Sequence, residues 1–401
     1  MAADKFHLGW FMNGYRVHGW QDTWIGTHKS EGMMPQFYID MARSLERACF
    51  DYFIIEDSSF VPDAWEGRHD FYIENAYAVP KFDPSVLASI LTQNTSRLGI
   101  VATLAITEYP PYLLARLVST LDHVSKGRAG WNMVTASSDR AAQNYGHDAQ
   151  PDHDLRYDMA EEFTELVIRL WESWEPDSMI VDTERAFADP GKVHPVNFEG
   201  KFYKSRGPIN TARSPQGRSV IVQAGGSPKG RAYASKYADS IIGETHQAAL
   251  ERKAQAQAAA AANPMVRLAG MGYSTDIDFS VFDLDTPIRV LEAQMTTNGH
   301  QSSLAAFINQ NKDRTLREVA SITASGGGQR IELLGTPAEV AGQMDEVMQE
   351  VGGDGFLLTQ DVLTRRSIAE ITDGLVPELQ KRGLTRTEYS YEQFRDNLLE
   401  F

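Results

Sequence analysis

Short strand-like apolar runs alternate with longer helix-like stretches through roughly the first 245 residues, and this alternation constrains the fold more than any other feature of the chain. Strand, helix, strand in repetition builds a parallel sheet with helices packed on it, because each parallel connection must cross back over the sheet. The runs are Phe6 to Met12, Tyr52 to Ile55, Leu98 to Ile106, Arg128 to Thr135, Ser219 to Ala224 and Ser240 to Gly243. Between them, Phe37, Met41, Leu45 and Ala48 carry the 3.6-residue spacing of a helix over Met34 to Ala48, and Pro84 to Gln93 reads as another. Leu113, Leu114, Leu117, Leu121 and Val124 form the stripe of a helix that Ser125-Lys126-Gly127 stops, and a long helix covers Met159 to Trp174.

The alternation then falters. Residues 247 to 262 read as an Ala-, Gln-, Lys- and Glu-rich helix without an apolar stripe, and Arg267 to Pro287 is irregular. Order returns where Gly335-Thr336-Pro337 opens a helix over Ala338 to Val351, Gly352-Gly353 closes it and Gly355 to Thr359 forms an apolar strand. A (β/α)8 TIM barrel needs one strand more than these runs supply, so a strand either hides in 263 to 273 or its segment is absent from this chain. With 401 residues and neither internal repeat nor low-complexity linker, the reading is an α/β fold: a single TIM-barrel domain over 1–401 with an excursion at about 250–325.

Charge and cysteine content narrow the function. Asp and Glu number 54 against 38 Lys and Arg, a net charge of -16 that repels a phosphate backbone on average, so no nucleic-acid partner is expected. A single cysteine, Cys49, excludes a disulfide framework and a thiolate metal cluster within the chain, and suits a reducing compartment. Without an export-type leader or a long apolar run, a cytoplasmic protein with no membrane partner is expected.

Four stretches carry chemistry. Gln223-Ala224-Gly225-Gly226-Ser227-Pro228-Lys229-Gly230-Arg231 runs from a strand through a glycine-rich turn into a helix beginning near Arg231; it reads equally as a phosphate site at a helix N-terminus or as a plain turn. Gly130 to Ser138 ends a buried strand in Asn132, Thr135 and Ser137, where a barrel presents its mouth, although hydroxyls after a strand also form turns. Glu56-Asp57 and Thr103 are placed alike; the acidic pair suits a general base or an N-cap, and no metal is expected because no second cluster of ligands accompanies it. His153, Arg156 and Tyr157 precede a helix, where Arg and Tyr suit phosphate oxygens and His suits proton exchange, or where all three begin a solvated helix. His18, Trp20 and Trp24 suggest a pocket wall, a lid or an oligomer interface.

Together, Arg43 to Asp57, Arg97 to Ser137, His153 to Glu162, Phe198 to Pro208, Gln223 to Arg231 and the closing Val376 to Gly383 resemble the nitrilotriacetate and dibenzothiophene-sulfone monooxygenase branch of the bacterial-luciferase-like flavoproteins. One departure stands out: where that branch should have a strand and connection, between roughly Gln247 and Leu268, this chain holds only the Ala-rich helix and Asn263 to Val266. The resemblance implies a two-component monooxygenase in which an NAD(P)H:flavin reductase supplies reduced FMN, and O2 reacts through a flavin C4a-(hydro)peroxide to oxygenate a small organic substrate. It also implies Asp57 and Thr103 beside the flavin ring, Asn132 and Val134 near its polar edge, Ser137 along the site, and Tyr157, Gly225, Gly226 and Ser227 at the phosphate, with His153 and Arg156 near. His153, Asn132 and His18 are the catalytic candidates, and Phe11, Arg16, Trp20, Trp24 and His300 the substrate-pocket candidates. An F420-dependent oxidoreductase and a non-catalytic flavin-binding barrel remain alternatives, the substrate is a sulfone, an aminopolycarboxylate or a substituted aromatic, and a homodimer or homotetramer is expected.

Overall fold

The structure is a computed structural model that describes residues 5–14, 31–225, 227–241, 265–321, 333, 335–360 and 363–401. Each of the seven apolar runs read as strands contains a strand, and four short strands not expected from the sequence form as well. In chain order these are β1 (His7–Met12), β2 (Tyr52–Ile55), β3 (Gly99–Ala105) and β4 (Ala129–Val134), two small antiparallel pairs β5 (Met179–Asp182) with β6 (Ala186–Ala188) and β7 (Phe198–Glu199) with β8 (Lys204–Ser205), then β9 (Val220–Gln223), β10 (Ser240–Ile241) and β11 (Gly355–Leu358). Seven of them make one parallel sheet in the order β10-β9-β4-β3-β2-β1-β11. The helices that cross between them begin with α1 (Pro35–Arg47), α2 (Asp70–Glu74), α3 (Pro84–Gln93), α4 (Pro111–Ser125), α5 (Asp139–Asn144), α6 (His153–Trp171) and α7 (Pro228–Tyr237).

Local chemistry sets these boundaries. Asp83 caps α3 by accepting from the N–H groups of Ser85 at 2.9 Å and Val86 at 3.1 Å. α4 stops where Lys126 turns left-handed at φ 60° and Gly127 follows at φ 87°. α6 starts at His153, earlier than its apolar stripe alone suggests, which puts His153, Arg156 and Tyr157 in its first turns.

Side chains alternate between the two faces of the strands. Trp10, Phe53, Ile100, Trp131 and Ile221 face the helices and join the largest apolar cluster, whereas Tyr52, Ile54, Val101, Val220 and Val222 form a separate cluster on the opposite face with Phe11 and Leu357 against it. The sheet is strongly curled around that inner cluster. Tyr52 on β2 lies 3.3 Å, hydroxyl to hydroxyl, from Ser240 on β10, although four strand spacings, about 19 Å in a flat sheet, separate those strands.

The end of the curl at the strands' N-termini is stoppered by the chain after Thr385. Phe394 sits 1% exposed in the inner cluster, at a place where Gly99 and Gly130 leave room: a Cβ on either would lie 2.6 Å or 3.3 Å from the Phe394 ring. Arg386, fully enclosed, pairs with Asp51 at 2.8 Å and Glu400 at 3.1 Å, and Asp51 also accepts from Leu8 N–H.

No strand forms over 263–273 among the described residues; Met265–Thr275 is a helix. The reason is packing: Leu268, Ala269 and Met271 close on Trp65, Tyr72 and Tyr77 in an apolar cluster that also holds Phe279, Ile288, Leu304 and Phe307. The stretch Arg267 to Pro287 is therefore ordered, and the excursion from 265 to 321 is a helical unit seated on the loop after β2. The Ala-rich stretch 247 to 262 lies outside the described residues.

Candidate active site

The C-terminal ends of the strands converge on a cavity whose lining includes Asp57, Ser59, Thr103, Glu108, Val134 and Ser137. Each arrives there through its strand. Thr103 and Asn132 face each other across the β3–β4 register on the inner face, and Asn132 donates from Nδ2 to Thr103 Oγ1 at 2.9 Å. Asn132 is 3% exposed, and its Oδ1 has no hydrogen-bond partner among the described residues. An orphaned acceptor at that depth is costly unless a ligand donates to it.

Glu56 and Asp57 have separate fates. Glu56 is taken by Lys81, whose Nζ donates at 2.8 Å and is shared with Ser58 and Tyr273, so it is neither a free base nor an N-cap. Asp57 has no such cation among the described residues; burial, then the adjacent Glu56 charge, pushes its carboxyl up to about 7, against a smaller pull from Lys81. Glu108, in the turn after β3, accepts from Ser59 Oγ at 2.7 Å, and burial raises its pKa also. Sequence reading overlooked Glu108, although an acid three residues past a buried strand is the same signal that picked out Asp57.

A second group lies beside the first. Arg156 is 1% exposed and has no carboxylate partner among the described residues; it donates to the carbonyls of Ala136 at 3.0 Å and Asn298 at 2.7 Å, while its Nε has no partner among them. Tyr157 follows on α6, with its ring 5.3 Å from that of His153. The tyrosine hydroxyl fills the space over the Gly-rich turn, since a Cβ on Gly225 would lie 2.5 Å from it and one on Gly230 2.7 Å. Ser227 is the N-cap of α7, accepting from Gly230 N–H at 3.1 Å; the helix begins at Pro228 and not near Arg231. The turn thus presents a helix N-terminus beside a phenol, with the buried Arg156 guanidinium on the residue before that tyrosine, donor types suited to an anionic group.

The excursion completes the wall. Thr297 to His300 meets the loop after β4: Asn298 supplies the carbonyl for Arg156 and donates to Gln150 and Pro151 carbonyls, both at 3.3 Å. His300 is exposed to solvent and is not in the cavity lining; desolvation and then the Arg156 charge lower its pKa below the usual imidazole value. Arg140, on α5, ties this wall together through Asp63 and Asp276, each at 2.6 Å.

Asp57, Thr103, Val134 and Ser137 therefore share one cavity, with Asn132 behind Thr103, and His153, Arg156, Tyr157, Gly225 and Ser227 form the adjoining group. Phe11 is not in that lining but packs on the inner apolar cluster. Arg16, His18, Trp20, Trp24 and Gly226 lie outside the described residues.

The model of the luciferase-like monooxygenase family matches residues 19–355. The chain belongs to this family. Among relatives of this luciferase-like monooxygenase, dibenzothiophene-sulfone monooxygenase of Rhodococcus erythropolis strain XP is 31% identical over 98% of the chain and 96% of its own length. Nitrilotriacetate monooxygenase component A of Aminobacter aminovorans is 31% identical over 99% and 97%. The first alignment spans 437 residues, more than the 401 of this chain, so that relative carries residues without counterpart here. In structure, DmoA of Hyphomicrobium sulfonivorans superposes with a TM-score of 0.83 at 31% identity, covering 99% of this chain and 92% of that one. A riboflavin lyase solved with modified FMN and riboflavin gives 0.82 at 26%, covering 99% and 96%. Among the described residues no helix is long and apolar enough to cross a membrane.

Proposed function

We propose that this chain is the oxygenase component of a two-component system: it takes reduced FMN from a separate NAD(P)H:flavin reductase and uses O2 to oxygenate a small organic substrate. The observation that carries the reading is a pair of unmet needs among the described residues, the Asn132 Oδ1 without a donor and the Arg156 guanidinium, bonded to the carbonyl of the cavity residue Ala136, without an anion. A flavin mononucleotide has an N–H-bearing ring edge for the first and a phosphate for the second. The component name of the nitrilotriacetate relative and the FMN of the lyase agree with it.

Reduced flavin would supply two electrons to O2 and deliver one oxygen atom to the substrate, the other leaving as water. The protein's own work is binding and shielding. Asn132 and Thr103 would hold the ring edge, with Asp57 and Val134 beside it; Ser227, Tyr157 and Arg156 would hold the phosphate, with Gly225, Gly226 and His153 around it. Ala105, Val134 and Ala136 give the cavity an apolar side that keeps water off the reacting face. The curled sheet is read as a closed (β/α)8 barrel whose remaining strand position falls between β10 and β11, and the enzyme as a cytoplasmic homo-oligomer.

Anaerobic titration with reduced FMN tests this directly. Binding at micromolar concentration is expected, weakened about tenfold or more by Asn132→Leu, with no turnover unless a reductase or chemically reduced FMN is supplied. Failure to bind reduced FMN sinks the proposal, and tighter binding of F420 in a parallel titration would replace it with the deazaflavin reading.

A further inference from the structure

Asp57, Ser58, Ser59 and Phe60 form one wall of the cavity as an unbroken stretch of chain, and that wall hangs on an ammonium behind it. Lys81, whose side chain is 13% exposed, donates from Nζ to Glu56 Oε2 at 2.8 Å, to Ser58 Oγ at 2.5 Å and to the Tyr273 hydroxyl at 3.2 Å. An ammonium has three N–H bonds, and these three residues take them. Two of the three flank Asp57 in sequence. Side chains two residues apart that meet at one atom lie on the same side of the chain, and the residue between them faces the other side, as in extended backbone. Asp57 is that residue, and it lines the cavity. The third partner holds the clamp from outside the sheet. Tyr273 belongs to the helix Met265–Thr275 of the excursion; its ring centroid lies 5.5 Å from the ammonium and 5.7 Å from that of Phe60, the far end of the same wall. Gly14 leaves the space for this arrangement, because a Cβ there would collide with Glu56 Oε2 and Lys81 Nζ.

On the reading that Asp57 stands beside a flavin ring, we propose that Lys81 is a positioning residue: by holding Glu56 and Ser58 on one side of the chain, it fixes Asp57 on the other, set in place before the ring arrives. Without the clamp, residues 56–58 must be ordered by the ligand itself, and that ordering weakens binding. Lys81 acts through Asp57, whereas a lysine that only supported the fold would act on flavin binding whether or not Asp57 were present.

A double-mutant cycle on the full chain, Lys81→Met against Asp57→Ala, separates the two roles, read by anaerobic titration with reduced FMN. Lys81→Met is expected to weaken binding about tenfold in the parent and less than about twofold where residue 57 is already Ala. Ser58→Ala keeps the Glu56–Lys81 ion pair, and so leaves no buried carboxylate unpaired, but removes one arm of the clamp; a smaller loss is expected, again only where Asp57 is present. The result therefore does not hang on the folding of Lys81→Met. With FMN binding to the parent intact, three outcomes overturn the positioning role alone: equal losses in the two backgrounds, no loss from Asp57→Ala, or no loss from either Lys81→Met or Ser58→Ala. If the parent does not bind reduced FMN, the flavin reading falls, and this role falls with it.

Discussion

Asp57 is the side chain whose ionisation costs this fold most visibly. Its folded-state carboxyl titrates at about 7, raised by burial and then by Glu56, against about 4 in an unfolded chain. A raised acid favours the folded state fully below the unfolded value, and that contribution is lost as pH rises from about 4 through about 7. Asp57→Asn, which cannot ionise, should therefore match the parent in stability at pH about 4 and exceed it by about 2 to 4 kcal/mol at pH about 8. Denaturant midpoints across that range check it, and a constant difference between the two proteins would refute it. At this scale the sequence showed which strand ends carry polar groups but not which group was already spent. Glu56 and Asp57 are adjacent and alike in sequence; only Lys81, 25 residues on, separates their roles. Arg156 was picked out by type and position, but its lack of a carboxylate depends on Ala136 and Asn298, which no local pattern brings together.

At the scale of elements, β1 to β4 and β9 were legible because each is buried on both faces and so reads as an unbroken apolar run. The helix over 265–275 was not, since its apolar residues answer to Tyr72 and Tyr77, about 200 residues earlier, and not to the sheet. The Gly-rich turn joins β9 to α7 with Tyr157 laid across it, and this contact has a sharp steric consequence. Gly225→Ala puts a methyl group 2.5 Å from the Tyr157 hydroxyl, so either the turn or the tyrosine must move. Reduced-FMN affinity should fall about tenfold or more, with the melting temperature changed by only a few degrees, measured by anaerobic titration and calorimetry. Arg140 fastens a different junction, that of the excursion to the loop after β2. Arg140→Ala, removing two half-buried ion pairs, should cost about 1 to 3 kcal/mol and raise amide exchange over 265–277 and 60–77 ahead of the sheet; unchanged exchange there would show that the apolar cluster alone holds the excursion.

For the molecule as a whole, the curl of the sheet depends on a filled interior, and Phe394 does the filling at the end away from the site. Phe394→Ala should destabilise by about 3 to 5 kcal/mol, because Gly99 and Gly130 offer no side chain to collapse into the space; urea unfolding reads this, and a loss under about 1 kcal/mol would mean the strands close without it. The stopper has a further consequence in time. Ribosomes make β1 first, yet its outer partner β11 comes more than 300 residues later, and the Phe394 helix later still. Throughout synthesis, the nascent chain therefore presents an open strand edge at β1 and a hollow lined by Val101 and Val220, surfaces to which chaperones bind and through which unfinished chains aggregate.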